Sequence, residues 1–454
     1  MWFALFITVA TAADLLIENV RVVDARGDSG IHAVLIQQDR IAGIDPKELP
    51  PDVERLDGTG HTLLPGFIDA HVHITMSPGE AFREENPEQR AQRVAHHLRA
   101  FLAMGITSIV DPGIHTGDVD LVRSLQAKGA APNVFVVGPL LGPEGGYPSK
   151  VVKVLPGVGT PEEVRQQLDA FESYETYGVK VTFEDGMLSR VMPLFSEEMQ
   201  ESIAQEVSAR DLKLYIHATD VRGIRRALQM KPHVLVHGPH KYNGKLLGQI
   251  AASGAYVVST IDILGAGLTY FDMEGLDDPR MVAVVPEDER AAAQDPGVRK
   301  QFIDEAWRAS APGWPRWMGR MLYKKSTLRP RVNAAIRGIR KLHERGVPIA
   351  LGSDSSGWPL VPFLFHGIST HLEMSFLSQA GFTPLEIIEA GTRTPARMLG
   401  KEAELGTVET GKRADLILVK GDPLTDLSVL RHPAWVIYGG ELRTAEGWME
   451  TVGE

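Results

Sequence analysis

A chain of 454 residues, 43% hydrophobic and 23% charged, has the composition of an ordinary folded protein, with room for one large domain and a smaller companion. Its formal net charge of −11 is spread along the chain, which gives nucleic acid or an anionic membrane no electrostatic footprint; the expected partner is a small molecule or short peptide. Cysteine is absent, excluding disulfides, thiolate catalysis and Cys-ligated zinc, so any metal must be held by His, carboxylate or a rarer ligand.

The chain opens on MWFALFITVATAAD, apolar up to Asp14 and containing Ala10-Thr11-Ala12, a small-x-small pattern that suits a signal peptidase. Residues 1–13 are read as an export signal and the protein as periplasmic or secreted; the missing Lys or Arg at its start leaves a cytoplasmic protein with an N-terminal strand as the alternative. The segment falls short of the ~18 apolar residues a membrane helix needs, and no other stretch reaches that length, so stable membrane insertion is not expected.

From Leu15 to Leu63, short alternating strands (LLIENVRVVDA, AVLIQQDRIAGI) are separated by turns such as Arg26-Gly27-Asp28 and Asp57-Gly58. That texture returns near the end in GTVETGKRADLILVKGD and AWVIYGGELRT, so 14–63 and 401–454 are expected to join in one small β-sandwich domain. Residues 64–400 differ. Apolar runs of strand length alternate there with amphipathic helical stretches: LLPGFIDAHVH, ITSIVDPG, NVFVVGPLL, GVKVTFEDG, KLYIHATD, HVLVHGPH, AYVVSTID and PIALGSD. Repeated βα units of this number predict an α/β fold of (β/α)8, or TIM, barrel type. The link at about 264–330 exceeds what a βα connection needs and carries Trp307, Trp314 and Trp317. A lid over the site is one reading; a peripheral helical insertion, or a contact between subunits of a homo-oligomer through those aromatics, is the equally open alternative.

Asp69-Ala70-His71-Val72-His73 ends the first barrel strand, and alternation puts His71 and His73 on one face with Val72 opposite. With 15 histidines in the chain, about half an HxH arises by chance, so position must supply the rest. In GVKVTF, Val179, Val181 and Phe183 face the helices, turning Lys180 and Thr182 toward the barrel axis. A buried lysine needs a partner or a lowered pKa. A neutral one can also take up carbon dioxide as a carbamate whose two oxygens could each hold a metal. In LKLYIHATD, Leu214 and Ile216 face outward and His217 inward; HVLVHGPH is read in the same phase, with Val234 and Val236 outward and His237 inward. PIALGSD brings Asp354 inward behind Ala350 and Gly352, although Asp followed by Ser-Ser also suits a helix N-cap. All six candidates stand at carboxyl ends of barrel strands, where this fold gathers catalytic groups. Imidazole and oxygen donors without thiolate suit zinc, and also manganese, iron or nickel.

With these residues in place the chain resembles the amidohydrolase superfamily, whose pattern is HxH on strand one, carbamylated lysine on strand four, histidines on strands five and six and aspartate on strand eight. LPGFIDAHVH, AGFTPLEIIEAGTRTPARMLG and LGTVETGKRADLILVKGDPL extend the resemblance over nearly the whole chain, and HGISTHLEMSFLSQAGFTP looks most like the imidazolonepropionase-like and prolidase-like branch. The resemblance implies a more buried metal on His71, His73 and Asp354, a more exposed one on His217 and His237, and the Lys180 carbamate between them. It implies hydrolysis of a C–N bond in an amide, peptide or cyclic amide by a metal-bridging hydroxide, with Asp354 as proton shuttle. A single-metal deaminase or isomerase and a non-catalytic binding protein are the alternatives. Prolidase-like members often carry Gly-Gly-His after strand three; Gly145-Gly146-Tyr147 departs from that pattern, which counts against a peptide substrate. Tyr147, His240, Trp358 and His366, just past strand ends or in the following loops, are the candidate substrate contacts, and each could equally be structural.

Overall fold

The computed structural model describes residues 14–80, 84–129, 131–148, 157–184, 192–272, 278–310, 315, 317–318, 321, 325–357 and 361–450. The expected export segment, Trp314 and Trp358 lie outside the described residues.

Strands form where β-branched residues alternate or run together. In chain order they are β1 (Leu15–Asp24), β2 (Gly27–Gln37), β3 (Arg40–Ile44), β4 (Glu54–Asp57), β5 (His61–Pro65), β6 (Phe67–Asp69), β7 (Ile106–Pro112), β8 (Asn133–Val137), β9 (Leu140–Leu141), β10 (Gly178–Thr182), β11 (Lys213–His217), β12 (Val234–Val236), β13 (Tyr256–Val258), β14 (Ile349–Ala350), β15 (Leu416–Lys420), β16 (Pro433–Tyr438) and β17 (Glu441–Arg443). Both chain ends meet in one mixed eight-stranded sheet, ordered β17-β16-β15-β5-β1-β2-β3 with β4 also on β1. β15 runs antiparallel to β5, pairing Leu418 with Leu63, so the chain's last part closes against its first.

The middle is an α/β arrangement. β6-β7-β8 form one parallel sheet and β9 to β14, in sequence order, another. Parallel bridges Val72–Ser355 and Val136–Thr176 join these sheets at their two sides. Helices cross between the strands, and their starts are chemically marked. Asn86 and Thr160 each form a capping box with Gln89 and Glu163, and Pro87 and Pro161 occupy the first turns where a missing N–H costs nothing.

Two apolar layers follow. Ile68, Ala70, Val110, Val137, Tyr215, Val234, Val236, Val258 and Ala350 cluster together, while Val179, Val181, Leu214, Ile216 and Leu235 pack with helix residues such as Ile203, Leu247 and Ile250. This corrects the phase expected for the sixth run: Val234 and Val236 join the inner cluster and Leu235 the outer one. His237 nevertheless reaches the site, because its φ of 71° breaks the alternation just past β12.

The long link between β13 and β14 contains the helices Pro279–Val284, Glu287–Gln294 and Pro296–Ser310. They lean on the helix Pro87–Ala103: His96 Nε2 donates to Val284 O at 2.9 Å, and Arg93 Nη2 donates to Asp288 Oδ2 at 2.7 Å. Arg280 Nη1 donates to Arg431 O at 2.8 Å, fixing the link to the chain's last part as well. Trp317 is 61% exposed. No helix among the described residues is long and apolar enough to cross a membrane.

Candidate metal centre

The carboxyl ends of β6 and β14 are stitched together by main chain. Asp354 N donates to His71 O at 2.8 Å, His73 N to Ser355 O at 3.0 Å and Ala70 N to Leu351 O at 2.8 Å. Asp69 holds both loops at once, its Oδ1 accepting from Ser353 N (3.0 Å) and His71 N (3.2 Å) and its Oδ2 from Thr370 Oγ1 (2.6 Å). The result is local convergence: Asp354 Oδ1 lies 3.1 Å from His71 Nε2 and 3.4 Å from His73 Nε2, and one donor atom from each residue lies within 4.8 Å of the others. Asp354 caps no helix, so the alternative role considered for it falls away.

The remaining candidates extend this cluster. Ring centroids run from His73 to His71 (5.1 Å), from His71 to His237 (5.2 Å) and from His237 to His217 (4.5 Å), and Tyr147 stacks on His217 at 4.7 Å with a 24° tilt. Lys180, on β10, is 3% exposed, and among the described residues its amine makes no ion pair or hydrogen bond. Burial brings its pKa down to about 7, against the opposing pull of Asp354 and Asp111. Burial likewise lowers His71 to about 3 and holds His237 well below its usual value, so both imidazoles stay neutral with a lone pair to give. Burial alone would raise Asp354; His71, His73 and His237 around it keep the carboxylate well below its ordinary range. These are the donors a divalent cation takes: buried neutral imidazoles and one ionised carboxylate, with no thiolate.

Backbone strain concentrates here. His237 (φ 71°), Thr260 (φ 42°), Asp354 (φ 54°) and Ser356 (φ 55°) all occupy left-handed conformations unusual for non-glycine residues, at the ends of three neighbouring strands. A side chain at Gly357 would overlap the Asp354 carboxylate, which would have to shift to admit it.

Of the expected substrate contacts, Tyr147 covers His217, and His240 stands beside His217 and Glu184 with its pKa lowered by burial to about 4. His366 differs: its Nε2 donates to His73 O at 3.3 Å and its ring stacks on His97, so its visible contacts are structural. Sequence reading passed over several residues. Glu184, two positions past β10, is buried, lies 3.5 Å from His217 Nε2 and accepts from Thr219 Oγ1 at 2.6 Å. Asp111, near the end of β7, lies 3.9 Å from His73 Nδ1 and accepts from Ile74 N at 3.0 Å; burial raises it to about 6. Thr260 lies 2.7 Å from His237 Nδ1. The carboxyl-end rule that found the histidines, applied to ITSIVDPG and GVKVTFEDG, points to Asp111 and Glu184 too. Behind the site, Asp262 N donates to Glu373 Oε2 at 2.8 Å, and burial raises Glu373 to about 8 and Asp262 to about 7.

A model of the amidohydrolase family matches residues 62–440, and the chain belongs to that family. Among curated relatives, a dihydroorotase of Thermus aquaticus is 45% identical over 122 residues, 26% of this chain and 25% of that one. A dihydroorotase of Solibacter usitatus is 32% identical over 217 residues, 46% of this chain and 42% of its own length. The matched part thus spans less than half of each. Among solved structures, a Xaa-Pro dipeptidase with bound methionine in its active site superposes with a TM-score of 0.72 at 22% identity, covering 95% of this chain and 100% of that one; at this identity the likeness is one of fold.

Proposed function

We propose that this protein is a metal-dependent amidohydrolase that cleaves a carbon–nitrogen bond of an amide, dipeptide or cyclic amide. The observation that carries the reading is the meeting of His71, His73 and Asp354 donor atoms within 4.8 Å at strand ends, with His237, His217 and the unpaired amine of Lys180 beside them. The names of the similar proteins, dihydroorotase and Xaa-Pro dipeptidase, support the bond class without fixing the substrate.

His71, His73 and Asp354 would hold one divalent ion and His217 and His237 a second, with zinc the metal the donors suit best. Lys180, brought down to about 7 by burial, is about half neutral near pH 7 and a competent amine for carbon dioxide: a new N–C bond forms, the amine gives up a proton, and the resulting carbamate would offer each ion an oxygen. Bound metal would supply an acidified water and a Lewis acid for the scissile carbonyl. The chain's own part is proton traffic and enclosure. Asp354, kept ionised by its imidazole neighbours, takes the proton of the attacking water on a carboxylate oxygen and delivers it to the departing nitrogen. Tyr147 and His240 wall the His217 side of the mouth.

This reading includes a closed (β/α)8 barrel over 64–400. It is supported by the bridges Val72–Ser355 and Val136–Thr176, which join the two parallel sheets on both sides. It also includes a β-sandwich from 14–63 and 401–454. β1 carries a bulge between Ile17 and Val20 and pairs β4 before it and β5 after it, the sort of bend at which a sheet folds over itself.

Zinc-loaded protein assayed against dipeptides, acylated amino acids and cyclic amides should hydrolyse at least one class, lose that activity on chelation and regain it with metal. Failure of zinc-loaded, folded protein on all three classes overturns the reading.

A further inference from the structure

Arg93, His97 and Phe101 lie four residues apart on the helix Pro87–Ala103 and so share one stripe of it. The stripe descends from solvent to core. At its outer end Arg93 pairs with Glu85 and Asp288, and its Nη1 donates to Glu289 Oε1 at 3.2 Å. One turn deeper, His97 Nε2 donates to the same Glu289 oxygen at 2.8 Å, both residues being 1% exposed. The His97 ring stacks on His366 at 4.0 Å and 22°, and Phe101, a turn further on, meets His366 edge to face at 5.6 Å. His366 then donates from Nε2 to His73 O at 3.3 Å.

We infer that this row is a positioning relay, by which Glu289 of the long link sets the metal-binding geometry of the first strand's HxH pair. The physical reason is rigidity. His366 can hold the His73 carbonyl only if its ring cannot turn; stacking between His97 and Phe101 fixes the plane, and Glu289 fixes His97. A buried carboxylate shared by a guanidinium and an imidazole is strongly directional and costly to break, which suits a support that must not move. The link between β13 and β14 is on this account a buttress of the metal site, and His366 is a positioning residue that does not touch substrate.

The inference rests on His71, His73 and Asp354 holding a metal, and the test separates the two. Zinc affinity is measured by competition with a chelator, and metal-free melting temperature by calorimetry, for the full chain. His73→Ala should lose the tight zinc; if wild type and His73→Ala bind zinc alike, the metal assignment fails and takes the relay with it. His366→Phe keeps the stack but has no N–H for the His73 carbonyl, and should weaken zinc binding by about 10- to 100-fold. The double variant His97→Phe with Glu289→Leu removes both partners, leaving no lone buried charge, and should also lose affinity. Met281→Ala, in the same link but off the row, should lower the melting temperature with zinc affinity unchanged. If His366→Phe and the double variant fold and bind zinc as tightly as wild type while His73→Ala does not, the relay is wrong. If Met281→Ala loses as much affinity as they do, the effect is general stability and the relay is equally wrong.

Discussion

The two halves of the candidate metal centre are built differently. On the His71, His73 and Asp354 side, donor atoms are already gathered, and the loops carrying them are tied by main-chain hydrogen bonds and by Asp69. On the His217, His237 and Lys180 side, the two imidazoles lie 4.5 Å apart between ring centroids, an amine with its pKa lowered by burial stands where an anion would be needed, and the covering residues Tyr147 and Glu184 come from loops. The first half is preorganised; on the proposed reading, carbamylation of Lys180 would complete the second. Preorganisation lowers the cost of binding a first ion, and the second half should then be the more sensitive to carbon dioxide and to loop changes.

The sharpest way to break this comparison is at Asp354, which on the proposed reading serves both metal binding and proton transfer. Asp354→Asn should keep much of its metal yet lose about 10²- to 10⁴-fold in kcat, the range for a positioned acid–base group; an unchanged kcat with the authentic substrate removes the role. Gly357→Ala, which pushes a methyl into that carboxylate, should cost about 10²-fold, read as kcat and as weakened zinc affinity. Lys180→Ala should empty the His217 and His237 side while the HxH side stays filled, seen as zinc content per chain falling by half, with short carboxylic acids partly restoring it. Retention of full zinc content would show that the halves do not differ as described.

The smallest effect concerns the buried acids behind the site. Glu373 rises from 4.5 to about 8 and Asp262 from 3.8 to about 7 on burial, so the folded state holds protons that the unfolded state has released. Their contribution is fully present below pH 4 and is lost as pH climbs through 7 and 8, with a slope of at most ~1.4 kcal/mol per pH unit per group. Melting temperature of metal-free protein should therefore carry a downward slope across this window, and Glu373→Gln should flatten it. An identical slope in the variant contradicts the assignment.

What could be read from the sequence was whatever local rules govern. Strand-length runs, turn residues and alternation placed Lys180 and His217, because β10 and β11 keep their phase through the site. His237 was found for an incomplete reason: alternation predicts the wrong layer for Val234 and Val236, and a left-handed residue puts the ring back. Glu184 and Asp111 were readable by the same carboxyl-end rule, but acidic residues near turns are too common to stand out in a chain with 58 of them. The pairing of His97 with Glu289 across 192 positions, and of Asp262 with Glu373 across 111, leaves no local trace, since nothing in a helix's own periodicity says which distant side chain will meet it.

The most direct measurement is an anomalous-scattering map at the zinc edge from crystals of zinc-loaded protein grown with bicarbonate. The account predicts one peak about 2.0–2.2 Å from His71, His73 and Asp354 donors, and a second against His217 and His237, with density for a carbamate on Lys180 between them. A peak elsewhere, or none at the HxH pair in fully loaded protein, would contradict it.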